Sequence, residues 1–382
     1  MSKKLKIFLL SPYLPALNTT ACARKIYDCI SLLFQRGHLI YLFSFCSKED
    51  SDRVHSVSSY CTQLYLEFIR DYSRYPINFI SLRQKIDLLC REKDFDILQC
   101  EKAYMARYLP SNIKIPSVLI EHDILSFVFL ERLKLENNFL NRLILSFRCL
   151  KKRFEEKDWY RKFDKIIVLS EPDRDRIRGR YGLENTEVIP LGINLNGYNR
   201  FPQSSKRLYD ILFVGNFSHL PNVDAVLYFC QQILPLIKIR LPNIKFAIVG
   251  ANLPDCIRKL AQRDKNIIVT GYLEDISKVY SESKIFVAPL RYGGGMRYKI
   301  LEALTLRLPI VATSSGVRGI VPNGYIKIAD TPRDFSEAVT TLLNSPEERE
   351  ILGSKGRSVV ESFYNWDKLL DKYEKIYYDL LR

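Results

Sequence analysis

Short apolar runs recur along this chain, and each stops where a loop must begin. Residues 5–10 stop at Ser11-Pro12, 210–214 at Gly215, 245–249 at Gly250 and 285–288 at Pro289. Runs this short, without polar alternation, read as strands buried on both faces, the habit of parallel sheets. Between them lie segments with helical spacing. In 23–35, Ile26, Ile30, Leu33 and Phe34 share a face, and Gly37 supplies the stop. Strand, loop, helix and strand in that order build a parallel α/β sheet. Further strands are expected at 39–45, 97–100, 117–120, 165–169, 267–269 and 310–312, and helices at 224–239, 296–305 and 366–381.

The series breaks once. Residues 189–207 are rich in Gly, Asn, Pro and Ser and read as a linker. A chain of 382 residues holds two to three domains at ~150 residues each. The expectation is two parallel-sheet domains with a cleft between them, at 1–195 and 208–362, and a final amphipathic helix within 363–382. Ligands of such sheets bind at the carboxyl ends of the strands.

Composition narrows the class. With 47% hydrophobic and 26% charged residues, disorder, collagen and coiled coil are excluded. No apolar run approaches the ~18 residues of a membrane span. The stretch 7–10 is too short for the ~7–15-residue core of a signal peptide. The nine cysteines form no C-x-x-C pair and the four histidines are scattered, so a reduced, cytoplasmic chain without a metal site is expected. A net charge of +15 favours polyanionic partners: nucleic acid, an anionic membrane face or phosphorylated ligands. No RNP, KH, zinc-finger or helix-turn-helix pattern supports nucleic acid.

Residues 133–164 read as one long helix. Leu140, Leu143, Ile144, Phe147, Leu150 and Phe154 fall on one face, and Arg142, Arg148, Lys151, Lys152, Arg153 and Lys157 crowd the rest. Such a helix can lie on an anionic bilayer. An apolar stripe usually faces a core, so a core-facing helix with a solvated basic back is the expectation.

The stretch 289–304, PLRYGGGMRYKILEAL, carries the most chemistry. A strand ends, Gly293-Gly294-Gly295 follow, and a helix is expected from Met296. The glycines let backbone approach a ligand, and a helix start favours an anion. Arg297 and Lys299 place cations where the dipole disfavours them, which makes sense against a bound phosphate. Glu302, three residues after Lys299, shares its face and can accept from a vicinal diol such as a ribose. Two carboxylate pairs read as bland. Asp94 and Asp96 are expected in a solvated turn, and Asp173 and Asp175 on a helix surface.

These residues carry a family resemblance. The segment 294–304 resembles retaining nucleotide-sugar glycosyltransferases of family 4, which have the GT-B fold of two facing Rossmann-like domains. The likeness continues through Leu308-Pro309-Ile310-Val311-Ala312-Thr313, Gly316-Val317-Arg318-Gly319-Ile320, Phe213-Val214-Gly215-Asn216-Phe217, Leu220-Pro221-Asn222-Val223-Asp224-Ala225, Ile248-Val249-Gly250 and Thr270-Gly271-Tyr272. It looks like a bacterial surface-polysaccharide branch. In the first domain it is carried by Ser11-Pro12-Tyr13-Leu14-Pro15, Arg36-Gly37-His38 and Glu121-His122-Asp123, and in the tail by Phe363-Tyr364-Asn365-Trp366.

The resemblance implies donor binding in the second domain and a glycan or lipid-linked acceptor in the first. Arg297 and Lys299 would hold the diphosphate, Glu302 the ribose, and Gly294, Gly295 and Met296 would offer backbone N–H groups. Gly215 and Asn216 would line the donor site, and His122 would sit near the donor sugar. Chemistry without a metal or other cofactor, retention of configuration and a crossover helix returning to the first domain are implied as well. Gly294 stands where the family often has Glu. The loop 216–222 lacks the family's Arg and Lys, a charge Arg297 and Lys299 are expected to supply. The loop 16–23 has no glycine where many members have a pair. The rivals are a catalytically silent donor-binding partner, a basic protein of anionic surfaces or nucleic acid, and a GT-B epimerase, against which the sparse histidines count.

Overall fold

The apolar runs are parallel strands, and among the described residues they form two sheets. The computed structural model describes residues 3–17, 20–72, 79–110, 112–198, 207–273, 275–321 and 324–382. In the first sheet β1 (Lys6–Ser11), β2 (Leu39–Ser47), β3 (Gln63–Ile69), β4 (Ile97–Glu101), β5 (Ser117–Glu121), β6 (Lys165–Val168) and β7 (Thr186–Val188) lie in the order β3-β2-β1-β4-β5-β6-β7. In the second, β8 (Tyr209–Val214), β9 (Phe246–Val249), β10 (Ile267–Gly271), β11 (Ser283–Ala288), β12 (Ile310–Ala312) and β13 (Ile326–Ile328) lie in the order β10-β9-β8-β11-β12-β13. Every neighbouring pair is parallel. Two Rossmann-like α/β domains result, as the sequence pattern predicts.

Strand β1 shows why its run does not alternate. Ile7 and Leu9 point into one core with Ile26, Ile30, Trp366, Tyr373 and Tyr377, while Phe8 and Leu10 point into another with Phe95, Tyr108 and Tyr160. Successive side chains face opposite sides, and both sides are covered, so both must be apolar. The edge strands β3, β7 and β13 escape the sequence reading. β3 is at best half-buried, with Gln63 and Phe68 exposed, and the others are three residues each.

The helices of the first unit are α1 (Ala21–Gln35), α2 (Val54–Ser58), α3 (Phe79–Glu92), α4 (Leu125–Leu135), α5 (Phe139–Tyr160) and α6 (Glu171–Tyr181). Those of the second are α7 (Leu220–Tyr228), α8 (Leu234–Arg240), α9 (Asp255–Arg263), α10 (Ser277–Ser281), α11 (Tyr298–Thr305), α12 (Pro332–Asn344) and α13 (Pro346–Val359). The last helix, α14 (Trp366–Leu380), belongs with the first unit: Met1–Gly192 and Trp366–Arg382 form one unit and Ile193–Asn365 the other. The helix expected at 224–239 starts earlier and is not uniform. Pro221 takes one of the first helical positions, where its missing N–H costs nothing, and a π turn over Phe229–Ile233 separates α7 from α8 just before Pro235.

Three expectations in the first unit need correction. The segment 133–164 is not one helix: α4 ends at Leu135, and Asn138 caps α5 by accepting from the Asn141 N–H at 3.1 Å. Nor does the stripe of α5 face a core. Leu140, Leu143, Ile144, Phe147, Leu150 and Phe154 are all exposed, because α5 is anchored by its opposite face through Leu145, Glu156, Trp159 and Tyr160. Third, Asp96 and Asp173 are fasteners. Asp96 accepts the Lys6 N–H at 2.8 Å and holds the start of β1. Asp173 is buried, accepts from Ser170 Oγ at 2.8 Å and pairs with Arg176 at 2.8 Å; Asp175 is exposed as expected.

Candidate functional site

In the second unit the chain leaves β11 and runs through the three glycines into α11. The helix begins at Tyr298, two residues later than expected. Gly293 and Gly295 hold left-handed φ values of +127° and +62°, so the chain needs Met296 and Arg297 to regain direction. Arg297 is therefore the N-cap, with φ −99° and ψ 102°, and Lys299 lies in the first turn. The guanidinium of Arg297 folds back over the loop. A Cβ on Gly293 would fall 2.6 Å from Arg297 Nη2, and Nη1 donates to the Gly294 carbonyl. Arg318, on the loop after β12, donates Nη1 to the Gly293 carbonyl at 3.0 Å. Met296 is buried beneath the turn.

Lys299 turns inward. Its Nζ donates to Asn222 Oδ1 at 2.6 Å and stands 4.2 Å from the centroid of the Phe213 ring. Burial, and then the charge of Arg297, push its pKa well below the ordinary lysine value, with Glu302 pulling the other way. Asn222 lies in the first turn of α7 and gives its Nδ2 to the Asn216 carbonyl at 2.7 Å. One amide thus joins the loop after β8 to the first turn of α11.

Gly215 follows the last residue of β8 and packs against this amide, and a Cβ there would lie 2.9 Å from the Asn222 side chain. Asn216 ties its own loop to the one after β9: its Oδ1 accepts from Ser218 N at 3.0 Å, Ser218 Oγ at 2.8 Å and Asn252 Nδ2 at 3.1 Å. Glu302, one turn deeper in α11, is 5% exposed. Its Oε1 accepts from Tyr198 OH at 2.8 Å and its Oε2 from Tyr280 OH at 3.4 Å. A diol reaching Glu302 must share these oxygens with the tyrosines.

The first unit gathers a second cluster at the carboxyl ends of β4 and β5. Lys25 and Glu101 form a fully buried ion pair, Nζ lying 3.1 and 3.0 Å from the two carboxylate oxygens. His122 Nε2 meets Glu101 Oε2 at 2.6 Å, and Gln99 Nε2 donates to Glu101 Oε1 at 2.6 Å. Tyr377 of α14 donates to Gln99 Oε1. Burial pulls the His122 pKa down, but Cys22 and Glu101 hold it above the ordinary value, which favours the imidazolium. Burial likewise pushes the Cys22 thiol up, yet Lys102 and His122 outweigh it and bring the thiol to about 7. Lys102 pairs with Asp123 at 3.4 Å and holds a left-handed φ of +71°, a strained value for a residue with a side chain.

The structure thus brings together Gly293–Met296, Arg297 and Lys299 in the second unit and places Glu302 one turn below. His122 lies in the other unit. Sequence reasoning missed Tyr198 and Tyr280, and assigned Asn222 and Arg318 no role. It also missed Lys25 and Glu101. Glu101 leaves a legible trace, since a carboxylate closing the buried run 97–100 needs a partner.

Comparison with known proteins bears on both units. A model described as "Glycosyltransferase Family 4" matches residues 23–196, and one described as "Glycosyl transferases group 1" matches 209–345. The chain is a glycosyltransferase with the GT-B fold. It is 24% identical over 312 residues to an uncharacterized 44.6 kDa protein in the cps region of Klebsiella pneumoniae, covering 77% of this chain and 79% of that one. It is 22% identical over 228 residues to the poly(ribitol-phosphate) alpha-N-acetylglucosaminyltransferase of Staphylococcus aureus, covering 56% of this chain and 44% of that one. Among solved structures, a mutant of S. aureus TarM in complex with fondaparinux, alpha-GlcNAc-glycerol and UDP superposes with a TM-score of 0.75 at 13% identity, covering 98% and 99% of the two chains.

Proposed function

We propose that this enzyme transfers a sugar from a nucleoside-diphosphate donor to a glycan or lipid-linked acceptor in cell-surface polysaccharide synthesis, with retention and without a metal ion. The observation that carries the proposal is Lys299. A buried ammonium beside a second cation, at the start of a helix, is an arrangement that a bound diphosphate relieves. Departure of the nucleoside diphosphate concentrates negative charge on its terminal phosphate. Lys299, Arg297 and the first N–H groups of α11 lie close enough to one another to stabilise that charge together. Glu302 takes the ribose hydroxyls, with Tyr198 and Tyr280 fixing its oxygens. In the first unit Cys22 and Glu101 favour the charged form of His122, which suits a hydrogen bond to a ligand oxygen rather than a proton transfer. The polysaccharide relatives and the UDP of the TarM complex support this reading, and the resemblance of the glycine loop supports retention. Nine free thiols suit a reducing compartment.

A thermal-shift panel of UDP-, GDP-, dTDP- and ADP-sugars tests it. Stabilisation by one nucleotide class, lost in Lys299→Ala and Glu302→Gln, is expected and names the base. No shift with any donor, with or without a glycan acceptor, would overturn the donor site. The anomer of the first product, read by NMR, tests retention.

A further inference from the structure

Helix α5 carries two contact faces on opposite sides. At roughly 100° per residue, Leu145, Cys149, Glu156, Trp159 and Tyr160 line one of them. That face is anchored: Cys149 Sγ donates to the Ser126 carbonyl at 3.2 Å, and Glu156 accepts the Ser126 N–H at 2.8 Å and the Tyr181 hydroxyl at 2.7 Å. The other face is bare, with Leu140 67%, Phe147 70% and Phe154 64% exposed beside exposed Leu143, Ile144 and Leu150. A ridge of this length is more apolar surface than an isolated soluble helix leaves to water without a partner.

The charges say which partner. Arg148 and Lys151 on one side and Arg153 and Lys157 on the other flank the ridge, while Arg142 turns back to the Leu133 and Glu136 carbonyls; the acidic residues of α5 are confined to its last turns. Glu155 there pairs with Lys152, Glu156 is buried, and Asp158 alone is exposed, in the last turn beyond Phe154. A second copy of the helix, seamed along Leu140, Leu143, Phe147, Leu150 and Phe154, would set Lys151 and Arg153 of one copy against those of the other. An anionic bilayer offers hydrocarbon to the ridge and phosphates to both flanks. Among the described residues no helix is long and apolar enough to cross a membrane, so α5 would lie flat.

We propose that α5 docks the first unit on an anionic bilayer surface. The apolar ridge enters the headgroup boundary and the arginines and lysines meet lipid phosphates. Together with the proposed transfer reaction, on which this point alone rests, docking makes the acceptor a glycan held on a membrane lipid.

The test is co-sedimentation of the full chain with vesicles of phosphatidylcholine alone, or with about one third phosphatidylglycerol. It uses Leu143→Glu with Phe147→Glu, and separately Arg148→Glu with Lys151→Glu. Binding to the anionic vesicles at least ~10-fold tighter than to neutral ones is expected, with a ~10-fold or greater loss in each double variant. Both variants should keep the wild-type melting temperature within ~2 °C, because exposed positions carry little folding energy. Absence of vesicle binding in the wild type, equal binding to neutral vesicles, or unchanged binding in both variants overturns the proposal. A dimer broken by Phe147→Glu in a chain that ignores vesicles gives the face to a second copy and overturns it too. Vesicle binding is read without donor. Failure of the donor-induced thermal shift with vesicle binding intact would therefore sink the transfer reading and leave docking standing.

Discussion

Asn222 receives the Lys299 ammonium on its side-chain oxygen at 2.6 Å, which ties the first turn of α7 to that of α11. Its Nδ2 holds the Asn216 carbonyl at 2.7 Å, so one amide spends both ends on the candidate donor loop. Asn222→Leu should therefore cost about 1–3 kcal/mol of stability, the toll of a buried donor left unpaired. Donor affinity should fall by roughly ten-fold as Lys299 loses its aim. Urea denaturation and donor titration read the two effects. A variant with wild-type donor affinity would show that the amide is only a structural tie.

Lys299 itself should register donor binding as a change of protonation. Burial and Arg297 lower its pKa in the free enzyme, and a diphosphate beside it must raise it again. Wherever the pH lies between those two values, binding takes up a proton. Calorimetric titrations in buffers of different ionisation enthalpy, at a series of pH values below the ordinary ~10.4 of a lysine, should find a range with uptake in the wild type and none in Lys299→Ala. Identical heats after buffer correction, in both proteins, would rule it out.

Glu101 should govern acid stability in the first unit. Burial pushes its carboxyl up, but Lys25 and His122 outweigh burial and hold it at about 2. The folded pKa lies below the ordinary ~4.3 of a free glutamate, so its stabilisation is complete above that range. It is lost as pH falls toward 2. Glu101→Gln leaves Lys25 buried without its counter-charge, and about 3–5 kcal/mol should go at neutral pH. The wild type and variant should converge as the pH drops below about 4. Denaturation curves at neutral pH and at about pH 3 check both statements.

Cys22 should be the thiol that titrates near neutrality. Burial pushes Cys29, Cys61, Cys90 and Cys230 up to about 12, whereas Lys102 and His122 bring Cys22 to about 7. Iodoacetamide should label Cys22 with a rate that rises through pH 7, and Lys102→Ala should slow it several-fold at pH 7. Mass mapping of the labelled peptides, with exposed Cys256 as the reference, decides it. A Cys22 that lags behind Cys256 at every pH would contradict the assigned electrostatics.

The sheets were legible because β9 and the centres of β1, β5, β8 and β11 are continuous apolar runs, whereas β4 carries the buried polar Gln99 and Glu101. Burial on both faces leaves little room for anything else. The donor loop was legible for a local reason, since three adjacent glycines before a helix have few other uses. What lay hidden needed pairing across long stretches of chain. Asn222 and Lys299 are 77 residues apart, and Lys25 and Glu101 are 76 apart. A single sequence lists such partners without joining them. The stripe of α5 misled because periodicity reports that a face is apolar and is silent about what covers it.

The return of α14 to the first unit has a consequence for synthesis. Chains emerge from the ribosome amino end first, and domains commonly fold in that order. Here the unit that emerges first finishes last. Trp366, Leu369, Leu370, Tyr373, Ile376 and Tyr377 belong to its core, and Tyr377 holds Gln99 beside Glu101. Residues Ile193–Asn365 are contiguous and can close on their own while Lys25 and Glu101 wait for Trp366–Arg382. A message truncated there would yield a finished second unit joined to an open first one, its charged pair bared to water.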